Sequence, residues 1–186
     1  MRAGSLVYLM GPSGAGKTSL LDYARREIDG SLPVVFAHRY ITRPLGSDNE
    51  NYIALSPAEF ELRKKRGVFA FDWQAYGFSY AIGLEIRLWL RAGLTVVVDG
   101  SRAHFASHDL AVGNLVPVLI TVGRDELRRR LTARQRDDRE AIERRLQRAD
   151  KFAPADLSLV TIDNSGPIDR AGLAFIALLR ERATAS

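Results

Sequence analysis

Residues 11–18, GPSGAGKT, are the first residues whose types and spacing predict chemistry. They match G-x-x-x-x-G-K-[ST] at every fixed position, with an apolar run before them and a helical pattern after them. Glycines in such a loop let backbone N–H groups surround a phosphate chain, and the helix N-terminus adds partial positive charge. Lys17 would reach the β- and γ-phosphates, and Thr18 would offer its hydroxyl to Mg²⁺. The segment therefore predicts ATP or GTP binding by Gly11, Pro12, Ser13, Gly14, Ala15, Gly16, Lys17, Thr18 and Ser19.

The elements that position this loop alternate between strands and helices. Short apolar runs predict buried strands at 6–10, 34–36, 94–99, 116–123 and 157–162. Helical spacing and capping signals predict helices at 17–28, 57–66, 83–92, about 125–133, 139–151 and 168–182. Strands separated by helices predict an α/β fold, in which a parallel five-stranded sheet is flanked by helices on both faces.

Bulk composition predicts one ordinary globular domain. The 186 residues are 46% hydrophobic and 26% charged, and the longest apolar runs are too short to span a bilayer. The chain has no cysteine, and the N-terminus passes from Met-Arg into a strand, so we expect no signal peptide and a cytoplasmic location. Net charge is +5, and 23 of the 27 basic residues are arginine. That surplus fits bidentate phosphate binding, with a coding bias towards arginine as the alternative.

The segments HRYITRP, NYIALSPAEFE and GVFAFDWQAYGFSYAIG resemble the guanylate kinase lineage in residue type and spacing. In that lineage a T-T-R-P segment, a tyrosine nine residues after the arginine and a G-x-Y-Y segment hold the acceptor's phosphate. The resemblance implies that Arg43, Tyr52 and Tyr80 do so here. It covers almost the whole chain and implies a single guanylate kinase-like P-loop NTPase domain. The implied core is 1–32, 83–130 and 150–186, with an acceptor-binding insertion at 33–82 and a helical lid at about 131–149.

Three positions depart from the guanylate kinase pattern. The second phosphate-binding arginine is replaced by Gly46, the guanine-reading glutamate by Phe71, and a base-contacting serine by Ile82. A phenyl ring cannot replace a carboxylate that pairs with guanine, because the base's hydrogen-bond donors would be left without acceptors. Residues that bind phosphate in guanylate kinases are largely retained, whereas the residues that recognise guanine are replaced. The chain is therefore not expected to be a guanylate kinase.

With this altered frame, HRYITRP, DWQAYG and DGSR resemble the ribose 1,5-bisphosphate phosphokinases of phosphonate breakdown. The resemblance implies transfer of the γ-phosphoryl of ATP to the 1-phosphate of ribose 1,5-bisphosphate, giving 5-phosphoribosyl 1-diphosphate (PRPP). ATP and Mg²⁺ are the implied cofactors. The expected partners are ATP and a small anionic sugar phosphate, with no nucleic acid and no membrane, and a homodimer is left open.

The predicted acceptor site surrounds a small, doubly anionic sugar. In this hypothesis His38 and Arg39 contact phosphate, and Arg43 lies between the acceptor sugar and the donor ATP. Asp99 holds either a Mg²⁺-bound water or a ribose hydroxyl, with capping of the following helix as an equal alternative, and Arg102 holds a phosphate. The alternative for Arg39 is a solvated strand edge. Asp72 contacts the 2- and 3-hydroxyls of the sugar, with plain surface exposure as the alternative. The predicted substrate-binding residues are His38, Arg39, Arg43, Tyr52, Asp72, Tyr80, Asp99 and Arg102.

Two further segments complete the predicted site. LTARQRDDREAIERRLQRA at 131–149 resembles the family's lid, which implies that Arg134 and Arg145 close on the phosphates. The alternative is a surface helix with ion pairs at spacings of three and four. TIDNSG at 161–166 resembles the segment that lines adenine, with Asn164 and Ser165 nearest the base, and a turn without a ligand is the alternative. The predicted catalytic residues are Lys17, Arg43, Arg134 and Arg145, and the predicted metal ligands are Thr18 and Asp99.

Three functions are compatible with these residues. The first is the sugar-bisphosphate kinase, and the second is a nucleoside monophosphate kinase with altered base choice. The third is a non-catalytic binding module of the guanylate kinase type. Such modules tend to lose the loop lysine and the lid arginines, whereas Lys17, Thr18, Arg134 and Arg145 are all present.

Overall fold

The computed structural model describes residues 3–44, 52–107, 110, 113–133, 138–150 and 159–185. Among these residues, no helix combines the length and the apolar character that crossing a membrane requires. The elements follow one another as β1 (Leu6–Met10), α1 (Lys17–Glu27), β2 (Val34–Phe36), β3 (Arg39–Ile41), β4 (Tyr52–Ala54), α2 (Pro57–Lys65), β5 (Phe69–Ala75), β6 (Phe78–Gly83), α3 (Glu85–Arg91), β7 (Thr95–Asp99), α4 (Arg102–Ser107), β8 (Leu115–Thr121), α5 (Arg124–Ala133), α6 (Arg139–Asp150), β9 (Val160–Asp163) and α7 (Ile168–Ala185).

A five-stranded parallel sheet forms the centre of the molecule, in the strand order β2-β7-β1-β8-β9. Its strands are the five predicted from apolar runs, so the predicted α/β fold is confirmed. The register pairs Leu9 of β1 with Asp99 of β7 and Met10 of β1 with Leu119 of β8. The carboxyl ends of the central strands therefore meet at one edge, where ligands of open α/β sheets bind.

The side chains of β1 alternate between two apolar clusters, one on each face of the sheet. Val7 and Leu9 pack with the buried faces of α1 and α7. Leu6, Tyr8 and Met10 pack with residues of α3 and α4. All five side chains are fully buried. Because both faces are covered, the strand needs a continuous apolar run, which is what made it recognisable in the sequence.

The predicted insertion at 33–82 contributes β2 to the central sheet and the strands β3–β6 to a second sheet. The second sheet has the order β4-β3-β6-β5, in which β3 and β4 are parallel and the other neighbouring pairs are antiparallel. This second sheet was not predicted from the sequence. Its strands β3 and β4 have three residues each, too few to show an alternating pattern.

The two faces of the second sheet contact different parts of the molecule. On the outer face, Phe69 packs against Tyr40 of β3 and against Phe60 of α2. On the inner face, Trp73 stacks on Tyr80, with an interplanar angle of 8° and ring centroids 5.6 Å apart. The inner face meets the carboxyl edge of the central sheet and so forms the second wall of a cleft.

Gly100 follows β7 at a point where the chain passes directly over Tyr8. A Cβ at residue 100 would overlap the Tyr8 ring. That ring is fully buried, and its hydroxyl accepts a hydrogen bond from the Ser101 N–H at 3.0 Å. The ring cannot move aside without losing these contacts, which accounts for the glycine in the DGSR segment.

We expect Gly100→Ala to lower the free energy of unfolding by about 1–3 kcal/mol, the usual cost of adding a methyl group to a packed interior. Gly30→Ala is the matched control, since a Cβ there meets nothing within 4 Å. The control should change stability by no more than about 0.5 kcal/mol. Urea denaturation followed by circular dichroism measures both, and equal stabilities for the two variants would contradict the packing argument.

Candidate active site

The predicted phosphate-binding loop joins the end of β1 to the start of α1. Its last residue, Gly16, is the N-cap of α1 and has a φ of 86°, a left-handed conformation that favours glycine. A side chain at this position would also bring a Cβ to 2.5 Å from Nδ2 of Asn164. The loop thus lies between a buried strand and a helix N-terminus, the context that the sequence motif requires.

The ammonium group of Lys17 lies over this loop. Its Nζ donates to the carbonyl oxygen of Gly11 at 3.1 Å and to that of Pro12 at 3.5 Å. Thr18 and Ser19 occupy the first turn of α1, where backbone N–H groups have no partner within the helix. A phosphate chain in the loop would meet both the lysine charge and these donors.

Two side chains from distant parts of the sequence hold the loop in place. The buried Asn164 donates from Nδ2 to the Ala15 carbonyl oxygen at 2.7 Å. Arg130 of α5 donates to the same oxygen at 3.4 Å and to the Asn164 carbonyl oxygen at 2.7 Å. Arg130 also pairs with Glu126. Arg130 was not among the predicted site residues, because spacing alone does not distinguish it from the neighbouring arginines that pair on the surface.

Ser165 connects the ends of two strands beside the loop. Its hydroxyl donates to Oδ1 of Asp163 at 2.6 Å and accepts from the Gly123 N–H at 2.8 Å. These contacts form a turn that joins the end of β9 to the segment after β8. Asn164 and Ser165 therefore both lie next to the loop, and the contact with adenine expected of them stays a prediction.

The predicted lid helix, α6, reaches the loop through Arg145. The Arg145 Nη1 donates to Oγ of Ser13 at 2.7 Å. The neighbouring Arg144 instead pairs with Glu140 at 3.3 Å on the exposed side of the helix. Arg145 therefore faces the loop and Arg144 forms an exposed ion pair, while closure of Arg145 on the phosphates stays a prediction. Arg134, the other predicted lid residue, lies outside the described residues.

Arg102 contacts the carboxyl end of α6. Its two terminal nitrogens donate to the carbonyl oxygens of Ala149 and Arg148, each at 3.3 Å. Burial lowers the pKa of the Arg102 guanidinium below its usual value. The side chain therefore anchors the end of the lid helix to the segment after β7, while its predicted contact with phosphate stays a prediction.

An ion pair between Arg39 and Asp99 joins the second sheet to the carboxyl edge of the central sheet. Arg39 Nη1 lies 2.8 Å from Asp99 Oδ2, and the two side chains are only 16% and 8% exposed. Asp99 is the register partner of Leu9, two residues before the loop begins. The other oxygen, Asp99 Oδ1, is buried and has no hydrogen-bond partner within the described part of the chain. Such an acceptor is costly to leave unsatisfied, and the ligand contacts predicted for Asp99 stay a prediction.

Arg43 lies just beyond β3, with its guanidinium over a tyrosine ring. The Arg43 Cζ is 4.9 Å from the centroid of the Tyr52 ring. The Tyr52 hydroxyl donates to the Pro44 carbonyl oxygen at 2.7 Å, and Thr42 Oγ1 accepts from the Ser79 N–H at 2.9 Å. These contacts hold the T-R-P segment at the carboxyl end of β3, an interior strand of the second sheet. In this arrangement Tyr52 supports Arg43 through its ring.

The structure separates the remaining predicted acceptor residues. Tyr80 faces the cleft, where the Arg39 guanidinium lies 6.0 Å from its ring centroid. Asp72 precedes the cleft-facing Trp73 in β5 and so points to the outer face, where it pairs with Lys64 of α2 at 2.5 Å. Its placement favours the surface alternative. His38 is partly buried between β2 and β3.

The positions that would read a purine in a guanylate kinase form an apolar wall. Phe71 lies 5.3 Å from the His104 ring and 6.0 Å from the Tyr8 ring, between centroids. Ile82 is fully buried in the same cluster. His104 is buried too, with Nδ1 3.2 Å from the Tyr8 hydroxyl, and burial raises the pKa of Tyr8 above its usual value. The donors of a guanine placed here would find no carboxylate at residue 71.

A phosphate-binding loop on a central strand, a lid helix that reaches it and a second sheet with cationic residues define a P-loop kinase with a guanylate kinase-like fold. The chain is 50% identical over 95% of its length to a protein of Desulfomicrobium baculatum, covering 94% of that relative. It is 41% identical to a protein of Thiobacillus denitrificans, over 97% of this chain and 95% of that relative. It is 45% identical to a protein of Chromobacterium violaceum, over 96% of this chain and 95% of that relative. All three are named ribose 1,5-bisphosphate phosphokinase PhnN. This chain belongs to that family of kinases.

Solved structures support the fold. A guanylate kinase from Anaplasma phagocytophilum superposes with a TM-score of 0.69 at 16% identity, over 98% of this chain and 87% of the other. A sugar kinase from Janibacter sp. superposes with a TM-score of 0.52 at 16% identity, over 98% and 99% of the two chains. No protein-family model matches the chain.

Arg130 provides a direct test of how the loop is held. Arg130→Ala should weaken ATP binding about fivefold or more, because it removes charged hydrogen bonds to two backbone carbonyls at the loop. Arg129→Ala is the matched control, since Arg129 also pairs with Glu126 but is 71% exposed. Titration of both variants with a fluorescent ATP analogue measures the effect. Equal affinities in the two variants would show that the loop does not need the Arg130 contacts.

Proposed function

We propose that this chain transfers the γ-phosphoryl group of ATP to the 1-phosphate of ribose 1,5-bisphosphate, giving PRPP and ADP. The observation that carries the proposal is the combination of a retained phosphate-binding frame with an apolar wall at the base-reading positions. Arg43 lies just beyond β3 with its guanidinium over the Tyr52 ring, whereas Ile82 is buried in the core cluster and the partly buried Phe71 packs against it. Membership of the phosphokinase family supports the same substrate. A reaction that consumes ATP also fits the expected cytoplasmic location.

The acceptor in this reaction needs no general base. A phosphate monoester has its second pKa near 6, so the 1-phosphate is largely dianionic at neutral pH. An oxygen of that phosphate attacks the γ-phosphorus, and the bond from the γ-phosphorus to the β–γ bridging oxygen breaks, leaving ADP. The acceptor oxygen is therefore a competent nucleophile once it reaches the γ-phosphorus.

The barrier to that approach is repulsion between the two anions. At about 4 Å and an effective dielectric near 20, each pair of unit charges costs roughly 4 kcal/mol. We infer that Lys17 and Arg145 offset this repulsion on the donor side, because both contact the loop. Arg43 and Arg39 do so on the acceptor side. Catalysis then consists of positioning and charge neutralisation, with Arg134 as a further expected contributor.

The residues present also fit a Mg²⁺ ion. Mg²⁺ in kinase sites is usually held by one or two side chains together with substrate phosphates and water. No group of three or more His, Cys, Asp or Glu side chains suited to a metal occurs in the described ranges. The kind of site that fits is therefore one in which the substrate phosphates supply part of the ligands. Thr18 and Asp99 would hold the ion, with the buried Asp99 Oδ1 as the available acceptor. When bound, it would neutralise charge on the nucleotide phosphates.

Acceptor choice tests the proposal most directly. With ATP and Mg²⁺, ribose 1,5-bisphosphate should be phosphorylated, whereas GMP, AMP and UMP should be turned over at least about a hundredfold more slowly, because no base-pairing acceptor stands at residue 71. A coupled ADP assay gives the rates, and phosphorus resonance identifies a diphosphate product. Lys17→Ala is the inactive control. Preference for GMP over the sugar bisphosphate would falsify the assignment.

Arg43 provides a second test. Arg43→Ala should lower kcat/KM for the sugar bisphosphate by about 10- to 100-fold, the effect of losing a charged hydrogen bond to phosphate. Arg63→Ala is the matched control, because Arg63 lies 5.7 Å from the Tyr40 ring on the outer face of the same sheet. Steady-state kinetics at saturating ATP compares the two variants. A similar loss in both would indicate a structural effect of the sheet rather than acceptor binding.

A further inference from the structure

We propose that Tyr76, at the tip of the β5–β6 hairpin, is a positioning residue for the phosphoryl transfer. It holds Arg145 of the lid helix against the phosphate-binding loop and so couples the acceptor-binding sheet to the lid. This inference rests on the proposed function, in which Arg145 neutralises charge on the phosphates.

The backbone at the hairpin tip shows that an aromatic residue is kept there against its conformational preference. Ala75 pairs with Phe78, so Tyr76 and Gly77 form a two-residue loop. Their φ values are 52° and 78°, as in a type I′ turn, which favours Asn-Gly or Asp-Gly. Tyr76 is the only non-glycine residue with positive φ in the described part of the chain. A bulky side chain in this conformation is an outlier that calls for a functional explanation.

Burial does not explain the tyrosine either, because 53% of its surface is exposed. Its ring instead lies beside two arginines of α6. The guanidinium carbons of Arg145 and Arg148 are 5.2 Å and 5.9 Å from the ring centroid. These arginines are three residues apart and so share one face of the helix. The ring therefore serves as a cation–π platform for the lid.

Arg145 connects this platform to the reaction site. One end of the contact chain is the Tyr76 ring, and the other is Ser13 of the loop, which accepts from Arg145 Nη1 at 2.7 Å. The far end of α6 is anchored by Arg102, which donates to the carbonyl oxygens of Arg148 and Ala149. The hairpin tip is thus the part of the acceptor-binding sheet that fixes the direction of the Arg145 side chain.

A positioning role predicts a specific kinetic signature. An interaction that matters only as the γ-phosphoryl group moves lowers kcat and kcat/KM together and leaves KM nearly unchanged. Loss of the ring should therefore lower kcat by about two- to fivefold, the size expected for one exposed cation–π contact, with little change in KM for ATP or for the acceptor.

Tyr76→Asn separates this role from a structural one. Asn-Gly is a favoured pair for the turn, so this variant should unfold at the same or a higher temperature while lacking the ring. Tyr76→Phe keeps the ring and should retain kcat. Combining Tyr76→Asn with Arg145→Ala should give no further loss beyond Arg145→Ala alone, because Tyr76 acts through Arg145. Steady-state kinetics and thermal unfolding compare the three single variants and the double variant with the unmodified protein.

The proposal is overturned if Tyr76→Asn keeps the wild-type kcat, if Tyr76→Phe loses as much as Tyr76→Asn, or if the two losses multiply in the double variant. It is also overturned if Arg145→Ala retains wild-type kcat. Failure of the proposed function is a separate result, since it appears as an unmodified protein that does not phosphorylate ribose 1,5-bisphosphate. The ratios between variants can then be measured with any acceptor that the protein does phosphorylate.

Discussion

The buried ion pair between Arg39 and Asp99 is the contact on which the cleft depends. It joins the inner face of the second sheet to the carboxyl edge of the central sheet, two strand positions from the phosphate-binding loop. Removing one partner of a buried pair commonly costs about 3–5 kcal/mol, because the other charge is left without compensation. The pair therefore fixes the distance between the donor side and the acceptor side. The second oxygen of Asp99 is buried without a hydrogen-bond partner in the described ranges.

The acceptor side combines charge with an apolar wall. Arg39 and Arg43 bring positive charge to one sheet, while Phe71, His104 and Tyr8 close the place where a base would lie. The wall is part of the core cluster around β1, so its side chains also contribute to stability through burial. The phenyl ring of Phe71 is partly buried against this cluster and offers no acceptor to the donors of guanine, which supports the proposed selectivity against a purine.

The donor side depends on side chains that are far from the loop in sequence. Three of these side chains contact loop atoms: Arg130 of α5, Arg145 of α6 and Asn164 of the turn after β9. The surrounding arginines, such as Arg129 and Arg144, form exposed pairs of the kind that contribute little to stability. The arginine-rich helices thus have one face that serves the site and one that is solvated.

The sequence alone determined the central sheet, the helices around it and the phosphate-binding loop, because local periodicity and a short motif specify them. It also indicated Arg43, Tyr80 and Arg145 through resemblance. Only the tertiary structure decided that the inserted region forms a second sheet, that Asp72 faces away from the cleft and that Arg130 braces the loop. The reason is physical. Which face a side chain occupies, and which distant group it meets, depends on how sheets and helices pack, and three-residue strands or evenly spaced arginines carry no local signal of that packing.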